Sequence, residues 1–401
     1  MKVLLINQGD LNSGAGYAAL QLHRSLIQLG VKSILLTEYD TTEAFVPNII
    51  KFGPFHSRKL SKAMNLTKVL FNYTQLKNLN GYMKKPIRKD FKVTVDSLTV
   101  DIIHIQWTNN IELLKFLSLK KNVFFSIRDH WIMTGGCAYP ENCSNFLQHC
   151  DTCPKTRKFE TFRHRQSKYE IIKIGAVHLL TLGSGTSEAL KRLMPDVPLS
   201  LVGNNIRDEF FEIGVTEDID ELKIKLGLDP RKKYILLGGV NLRNQHKGYD
   251  KLASQLKYFP SLNIILFGEG CDKFNKDYNL NAICFGFISD VKILREVYRC
   301  SSVYLFASTS ETFGKTVFEA ASQNCVPIYF NDTQTSSLLR EHLPEMSVEA
   351  GDFYAMCDIG MKLIKNEIPR PTKTKLKSIA KIADPLCNAK LILDKYNDCS
   401  K

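Results

Sequence analysis

Short apolar, β-rich runs recur along this chain with helical patterns between them. They fall at residues 3–7, 33–37, 101–106, 122–127 and 178–182, and again at 234–238, 263–267, 282–285, 303–307 and 325–330. Runs of this length with little polar alternation suit strands covered on both faces, as in parallel sheets crossed by helices. Residues 18–29 read as one such helix, with Leu22, Leu26 and Leu29 on a single stripe and Gly30 as the C-cap. The polar stretch 204–221 separates the two strand series, which predicts an α/β protein of two doubly wound domains joined near residue 205. The length of 401 residues agrees, since about 150 residues make a typical domain. In open α/β sheets ligands bind beyond the carboxyl ends of the strands, so the segments following each strand carry the functional information.

Composition narrows the class. With 44% hydrophobic and 24% charged residues, disordered and fibrous chains are excluded. The net charge of +13 points to an anionic partner: nucleic acid, a phosphate-bearing substrate or an acidic membrane surface. Most of that excess sits in residues 51–92, where eleven Lys and Arg face one Asp and are interleaved with apolar residues such as Leu70, Phe71 and Tyr73. A helix here could lay its apolar side into a lipid interface while its cations meet anionic head groups. The alternative is a helix packed on its own domain with a solvated basic face. The N-terminal apolar run is short for a signal peptide and no stretch approaches about 18 apolar residues, so a cytoplasmic location is expected. There the eleven cysteines would stay reduced or bind metal.

Three segments after strands carry candidate chemistry. The first runs from Gly9 to Ala19, where Gly14, Gly16 and Ala19 match G-x-G-x-x-[GA] and Glu38 follows the next strand where a ribose-binding acid would stand. Six residues separate Asn7 from Gly14, however, too many for a dinucleotide fingerprint. The loop reads as a phosphate or acceptor contact, or else as a tight turn that needs glycine. The second is Ser308-Thr309-Ser310-Glu311-Thr312-Phe313-Gly314-Lys315-Thr316-Val317-Phe318-Glu319. Glu311 precedes a helix whose free N–H groups point back to the strand end, and Glu319 lies inside it, so two carboxylates can accept from the hydroxyls of an extended nucleotide-sugar. Alternatively Glu311 merely favours the helix N-terminus and Glu319 is a solvated helix face. The third is Gly238 to Gly248, whose Arg243 and Lys247 would neutralise a diphosphate.

These segments resemble retaining glycosyltransferases of family 4, in which Glu311 to Glu319 forms an E-x7-E element. The resemblance covers nearly the whole chain. Asn204-Asn205-Ile206 with Phe211 is similar to the family's N-P-I-D segment, with Arg207 in place of the acid, and Thr134-Gly135-Gly136-Cys137 resembles a bacterial subgroup that builds surface polysaccharides of the O-antigen or colanic-acid type. The resemblance implies the GT-B fold, two facing Rossmann-like domains with an interdomain cleft. Residues 1–203 would bind acceptor, 204–375 nucleotide-sugar, and 376–401 would form a C-terminal helix crossing back to the first domain. It further implies transfer of a hexose, with retention, from a UDP- or GDP-sugar to a polyprenyl-diphosphate-linked glycan at the inner face of the cytoplasmic membrane, without a catalytic metal or nucleic acid.

Residue by residue, Glu311 would hold a donor-sugar hydroxyl, with the amides of Phe313, Gly314 and Lys315 around sugar and diphosphate. Glu319 would bind ribose and Lys247 the diphosphate. The family's Arg falls on Asn241 or Leu242, so Arg243 is the substitute. Gly286, Phe287 and Ile288 match the segment lining the base, and Gly14 and Gly16 would approach the donor. The family's first-domain His falls on Arg128, which with Asp129 and His130 completes the candidate catalytic set, although a buried, satisfied His130 is the competing reading.

Cys137-x5-Cys143-x6-Cys150-x2-Cys153 fits a structural zinc site in ligand number, and its second pair has ordinary spacing while its first is wide. Free thiols in a packed loop and two disulfides are the alternatives. Two other functions stay open: a dinucleotide-dependent oxidoreductase or GT-B-like epimerase, and a non-enzymatic nucleic-acid module built from the cysteines and the basic segment.

Overall fold

The computed structural model describes residues 1–39, 46–55, 85–140, 143–148, 150, 153, 160–212 and 218–399. The chain forms two compact units, Met1–Gly203 with Pro385–Lys401, and Asn204–Asp384.

The first unit is built on a seven-stranded parallel sheet in the order β3-β2-β1-β4-β5-β6-β7. Its strands are β1 (Lys2–Asn7), β2 (Lys32–Thr37), β3 (Ile49–Lys51), β4 (Ile102–Trp107), β5 (Val123–Ile127), β6 (His178–Thr181) and β7 (Leu199–Leu201). Alternate residues of the central strands enter two different cores. Leu4, Ile6, Ile103, Ile105 and Phe125 face one, and Val3, Leu5, Ile102 and Phe124 face the other. Both faces are therefore covered, which is why the strands read as apolar runs without alternation. Helix Gly14–Gln28 covers the second face together with the C-terminal helix Pro385–Cys399, whose Ala389, Ile392 and Tyr396 join that core. His104, buried in the sheet, bonds Tyr396 Oη at 2.5 Å and Ser126 Oγ at 2.8 Å, and burial holds its pKa well below the usual imidazole value.

The second unit has a six-stranded parallel sheet, ordered β10-β9-β8-β11-β12-β13. Its strands are β8 (Tyr234–Asn241), β9 (Asn263–Glu269), β10 (Ile283–Cys284), β11 (Val303–Phe306), β12 (Val326–Phe330) and β13 (Ser347–Val348). In each unit the strand order reverses beside the first strand, between β1 and β4 and between β8 and β11, which is where doubly wound sheets open a ligand crevice.

All ten predicted strands are present. The three that the sequence did not signal, β3, β7 and β13, are short edge strands, too short for a periodicity to register. The helix predicted at 18–29 begins at Gly14, where Ser13 caps it, and ends at Gln28 with Gly30 at φ +78°. The expected third division at 376–401 differs in its start. Helix Lys373–Lys381 packs on helix Lys315–Ser322 of the second unit, and only from Pro385 does the chain join the first. Of the basic segment 51–92, residues 56–84 lie outside the described residues, and with them the proposed lipid-facing helix. Its described flanks bury Phe55 on Phe91, with ring centroids 4.4 Å apart. Among the described residues, no helix is long and apolar enough to cross a membrane.

Candidate functional site

The switch point of the second unit brings two predicted residues together. After β8 the chain turns through Gln245–Lys247 and enters helix Tyr249–Leu256 by way of Gly248 at φ +68°. A Cβ on Gly248 would lie 2.2 Å from the Ala307 carbonyl oxygen, so only glycine lets this turn rest against the end of β11. The Thr309 N–H donates to His246 O at 2.8 Å and fastens the two loops. In consequence Lys247 Nζ forms an ion pair with Glu311 Oε1, which also accepts from Ser308 Oγ at 3.3 Å. The side chains are only 21% and 12% exposed, so solvent screens this pair weakly.

Gly314, at φ +78°, starts helix Lys315–Ser322, and its missing side chain leaves room for Thr335 Oγ1 and Phe306, which a Cβ would meet at 2.7 and 2.9 Å. Phe313 stacks on Phe318 at 4.5 Å and is buried, which anchors the loop from below. The first turn of this helix thus lies just beyond Glu311, and its amides and dipole favour an anion there.

Glu319 is not a solvated helix face. Tyr298 Oη donates to its Oε2 at 3.3 Å, and burial pushes the carboxyl above its usual range, against the opposing charges of Lys315, Arg207 and Lys247. In the sequence Arg207 stands out only as a departure from the N-P-I-D pattern. The fold sets its positive charge near Glu319, a proximity for which the chain offers no local signal.

Arg243 is held by acids and rings of its own. Its guanidinium pairs with Asp250 at 3.4 Å and with Asp277, and lies over the rings of Phe274 and Tyr278 at 5.2 and 5.7 Å. The two acids lie further along the chain, and only folding brings them to it. Gly286, at φ +65°, accepts from the Gly268 N–H at 2.7 Å, which sets the Gly286–Ile288 segment beside the end of β9, with the Phe287 ring exposed.

The first unit spends its switch-point groups on itself. Gln8 N–H donates to Trp107 O at 3.0 Å and Thr108 Oγ1 to Gln8 Oε1 at 2.6 Å, so the ends of β1 and β4 are stitched together. Glu38 is 7% exposed and accepts from the Phe55 N–H at 2.7 Å and from Gln8 at 3.5 Å. Its role is to hold the chain after β3, which removes the ribose acid that a dinucleotide enzyme would need. Gly16 is a steric requirement, because a Cβ would lie 2.0 Å from Asp10 O, and its N–H is taken by Ser13 Oγ at 3.1 Å. Nothing lies within 4 Å of where a Gly14 Cβ would be.

Beyond β5, Arg128 donates from Nε to Gln106 O at 3.0 Å and from its terminal nitrogen to Gln106 Oε1 at 2.6 Å. Burial brings its pKa down to about 10, which still leaves it cationic at neutral pH. Asp129 accepts from Trp107 Nε1 at 2.9 Å and Trp131 N at 2.8 Å, and burial raises its carboxyl. His130 is 2% exposed, with its ring centroid 6.0 Å from that of Phe146, the burial that the competing reading expects.

No protein-family model matches the chain. It is 25% identical over 196 residues to WcaC of Escherichia coli K12, described as a colanic acid biosynthesis glycosyl transferase; the match spans 46% of this chain and 44% of that protein, so less than half of the relative is covered. Among solved structures, sucrose-phosphate synthase from Thermosynechococcus elongatus superposes with a TM-score of 0.69 at 14% identity, covering 99% of each chain. Anabaena HepE, solved in complex with UDP, superposes with a TM-score of 0.67 at 13% identity, covering 99% of this chain and 100% of that one. The chain thus has the two-domain Rossmann-like fold of the GT-B glycosyltransferases, and over part of its length its sequence is similar to a glycosyltransferase of bacterial surface-polysaccharide synthesis.

Proposed function

We propose that this protein is a retaining glycosyltransferase that moves a hexose from a nucleoside-diphosphate sugar to a polyprenyl-diphosphate-linked glycan in surface-polysaccharide synthesis. The observation that carries the reading is the Lys247–Glu311 pair at the mouth of a helix N-terminus, at the switch point of the second sheet. Similarity to WcaC supports the pathway class, and HepE, which binds UDP, supports the donor class.

In this reading the departing diphosphate gathers negative charge as the sugar becomes oxocarbenium-like. Lys247 and the first amides of helix Lys315–Ser322 meet that charge where it develops. Glu311 accepts from a hydroxyl of the sugar and keeps Lys247 aligned until the diphosphate takes it over. Glu319 accepts from the ribose hydroxyls. The acceptor hydroxyl attacks from the face the diphosphate leaves and passes its proton to the leaving phosphate oxygen, so no carboxylate base is required. Arg128 of the first unit donates to a sugar hydroxyl or phosphate, and Asp129 accepts from an acceptor hydroxyl. The acceptor's lipid explains the basic stretch within 51–92, which would dock on anionic lipid at the cytoplasmic leaflet.

A panel of UDP- and GDP-sugars read by thermal stabilisation tests the donor claim, because a ligand held only by the native state raises stability by mass action. One preferred donor is expected to raise Tm in the wild type and not in Lys247→Met. Absence of stabilisation by every donor would refute it. Vesicle flotation tests the docking claim: recovery with anionic but not neutral liposomes is expected, and equal recovery would refute it.

A further inference from the structure

We propose that Cys137, Cys143, Cys150 and Cys153 supply four thiolates to a structural zinc ion in the loop that follows β5, their sulfurs closing on the ion as it binds, since among the described residues it is Cys271, Asp272 and Cys284 that already bring three ligand atoms within 4.8 Å of one another. The four cysteines line one small pocket, walled by Pro140 and Phe146. The wide spacing between Cys137 and Cys143 is therefore no obstacle, since both reach the same cavity, and the Cys143 N–H donates to Pro140 O at 3.1 Å.

Three further features suit an anionic cluster. The Gly135 N–H donates to Cys150 Sγ at 3.1 Å, the kind of outer hydrogen bond that orients a ligating thiolate. Cys150 has φ +57°, a conformation L residues rarely adopt, so the surroundings hold its backbone where its sulfur reaches the pocket. Two cations of helix Glu160–Ile174 grip the backbone around the cavity, Lys168 Nζ at Thr134 O (2.8 Å) and Trp131 O, and Arg165 at Phe146 O (2.9 Å). A divalent ion with four thiolates carries two net negative charges, which positive charge on Lys168, fully buried, and Arg165, partly buried, would oppose.

Binding would release the thiol protons to solvent and form four metal–sulfur bonds, with no redox step. Four protein ligands leave no open position, so the ion would be structural. It would fix the segment in which the His130 N–H donates to Ala138 O at 2.9 Å, and with it Arg128 and Asp129 at the end of β5.

Metal analysis of the full chain, purified under reducing, chelator-free conditions and dialysed against zinc, is expected to find one zinc per protein. Cys143→Ser and Cys153→Ser should each lower that by more than half. Cys271→Ser, which alters the separate Cys271, Asp272 and Cys284 group in the second unit, should leave it unchanged. Since the serine variants can fail to fold, the wild type is also stripped and refilled with cobalt, whose thiolate charge-transfer and tetrahedral d–d bands should saturate at one equivalent. Wild type without metal, two disulfides by intact mass, zinc retained in Cys143→Ser and Cys153→Ser, or zinc lost in Cys271→Ser would each overturn the proposal.

Discussion

The two sheets share a strand order and each places a glycine-bearing loop after its first strand, yet they use their switch points in opposite ways. In the first unit Gln8, Trp107, Thr108 and Glu38 bond one another and the Phe55 amide, so the polar groups are consumed within the fold. In the second, Glu311 is held by side chains, Lys247 and Ser308, beside a glycine-started helix. The difference teaches that a glycine-rich turn with an acid after the neighbouring strand is not by itself a binding signature. What matters is whether the acid is bound into the backbone, as Glu38 is by the Phe55 amide, or held by side chains that a ligand can displace.

The comparison can be broken from either side. The largest effect is expected at Lys247→Met, which should lower kcat/KM for glycosyl transfer by about 10²–10³-fold, the cost of removing a group that stabilises developing charge, while leaving Tm within a few degrees. A fall in Tm with unchanged transfer would show that the pair is structural. In the first unit the opposite split is expected. Gly16→Ala should cost about 1–3 kcal/mol by forcing a methyl onto Asp10 O, and Glu38→Leu about 1–3 kcal/mol by stranding the Phe55 N–H. Neither should alter donor affinity in protein that remains folded, as urea titration beside donor binding would show.

A smaller effect concerns pH. Burial raises the Glu319 pKa, so its carboxylate forms only as pH climbs through that raised value, and donor affinity should rise over the same interval. The stability it contributes runs the other way, present below the ordinary carboxylate pKa and lost as pH rises through the raised one. Glu319→Gln should flatten both profiles. The smallest effect is expected at Arg243→Ala, under about fivefold in donor affinity, because its half-exposed pairs with Asp250 and Asp277 are of the kind worth at most about 1 kcal/mol.

The sequence conveyed the sheets well because buried parallel strands need apolar residues on both faces, and that demand is local. The edge strands β3, β7 and β13 escaped because pairing, not pattern, defines segments of two or three residues. Glu311 and Lys247 were legible since each follows a strand, and strand ends converge in this architecture. The acids that hold Arg243 were not, because they lie on later helices. The nearness of Arg207 to Glu319 joins segments remote in sequence, and the Phe146 ring beside the buried His130 is likewise brought there by the fold.

The central claim is that the second switch point, and not the first, binds a nucleotide-sugar. Isothermal titration of the preferred UDP- or GDP-sugar into wild type, Glu311→Gln and Gly14→Ala tests it most directly. The account predicts one site per chain, affinity lost by at least about tenfold in Glu311→Gln, or about 1.4 kcal/mol, and affinity unchanged in Gly14→Ala. Binding that survives Glu311→Gln and disappears with Gly14→Ala would contradict it.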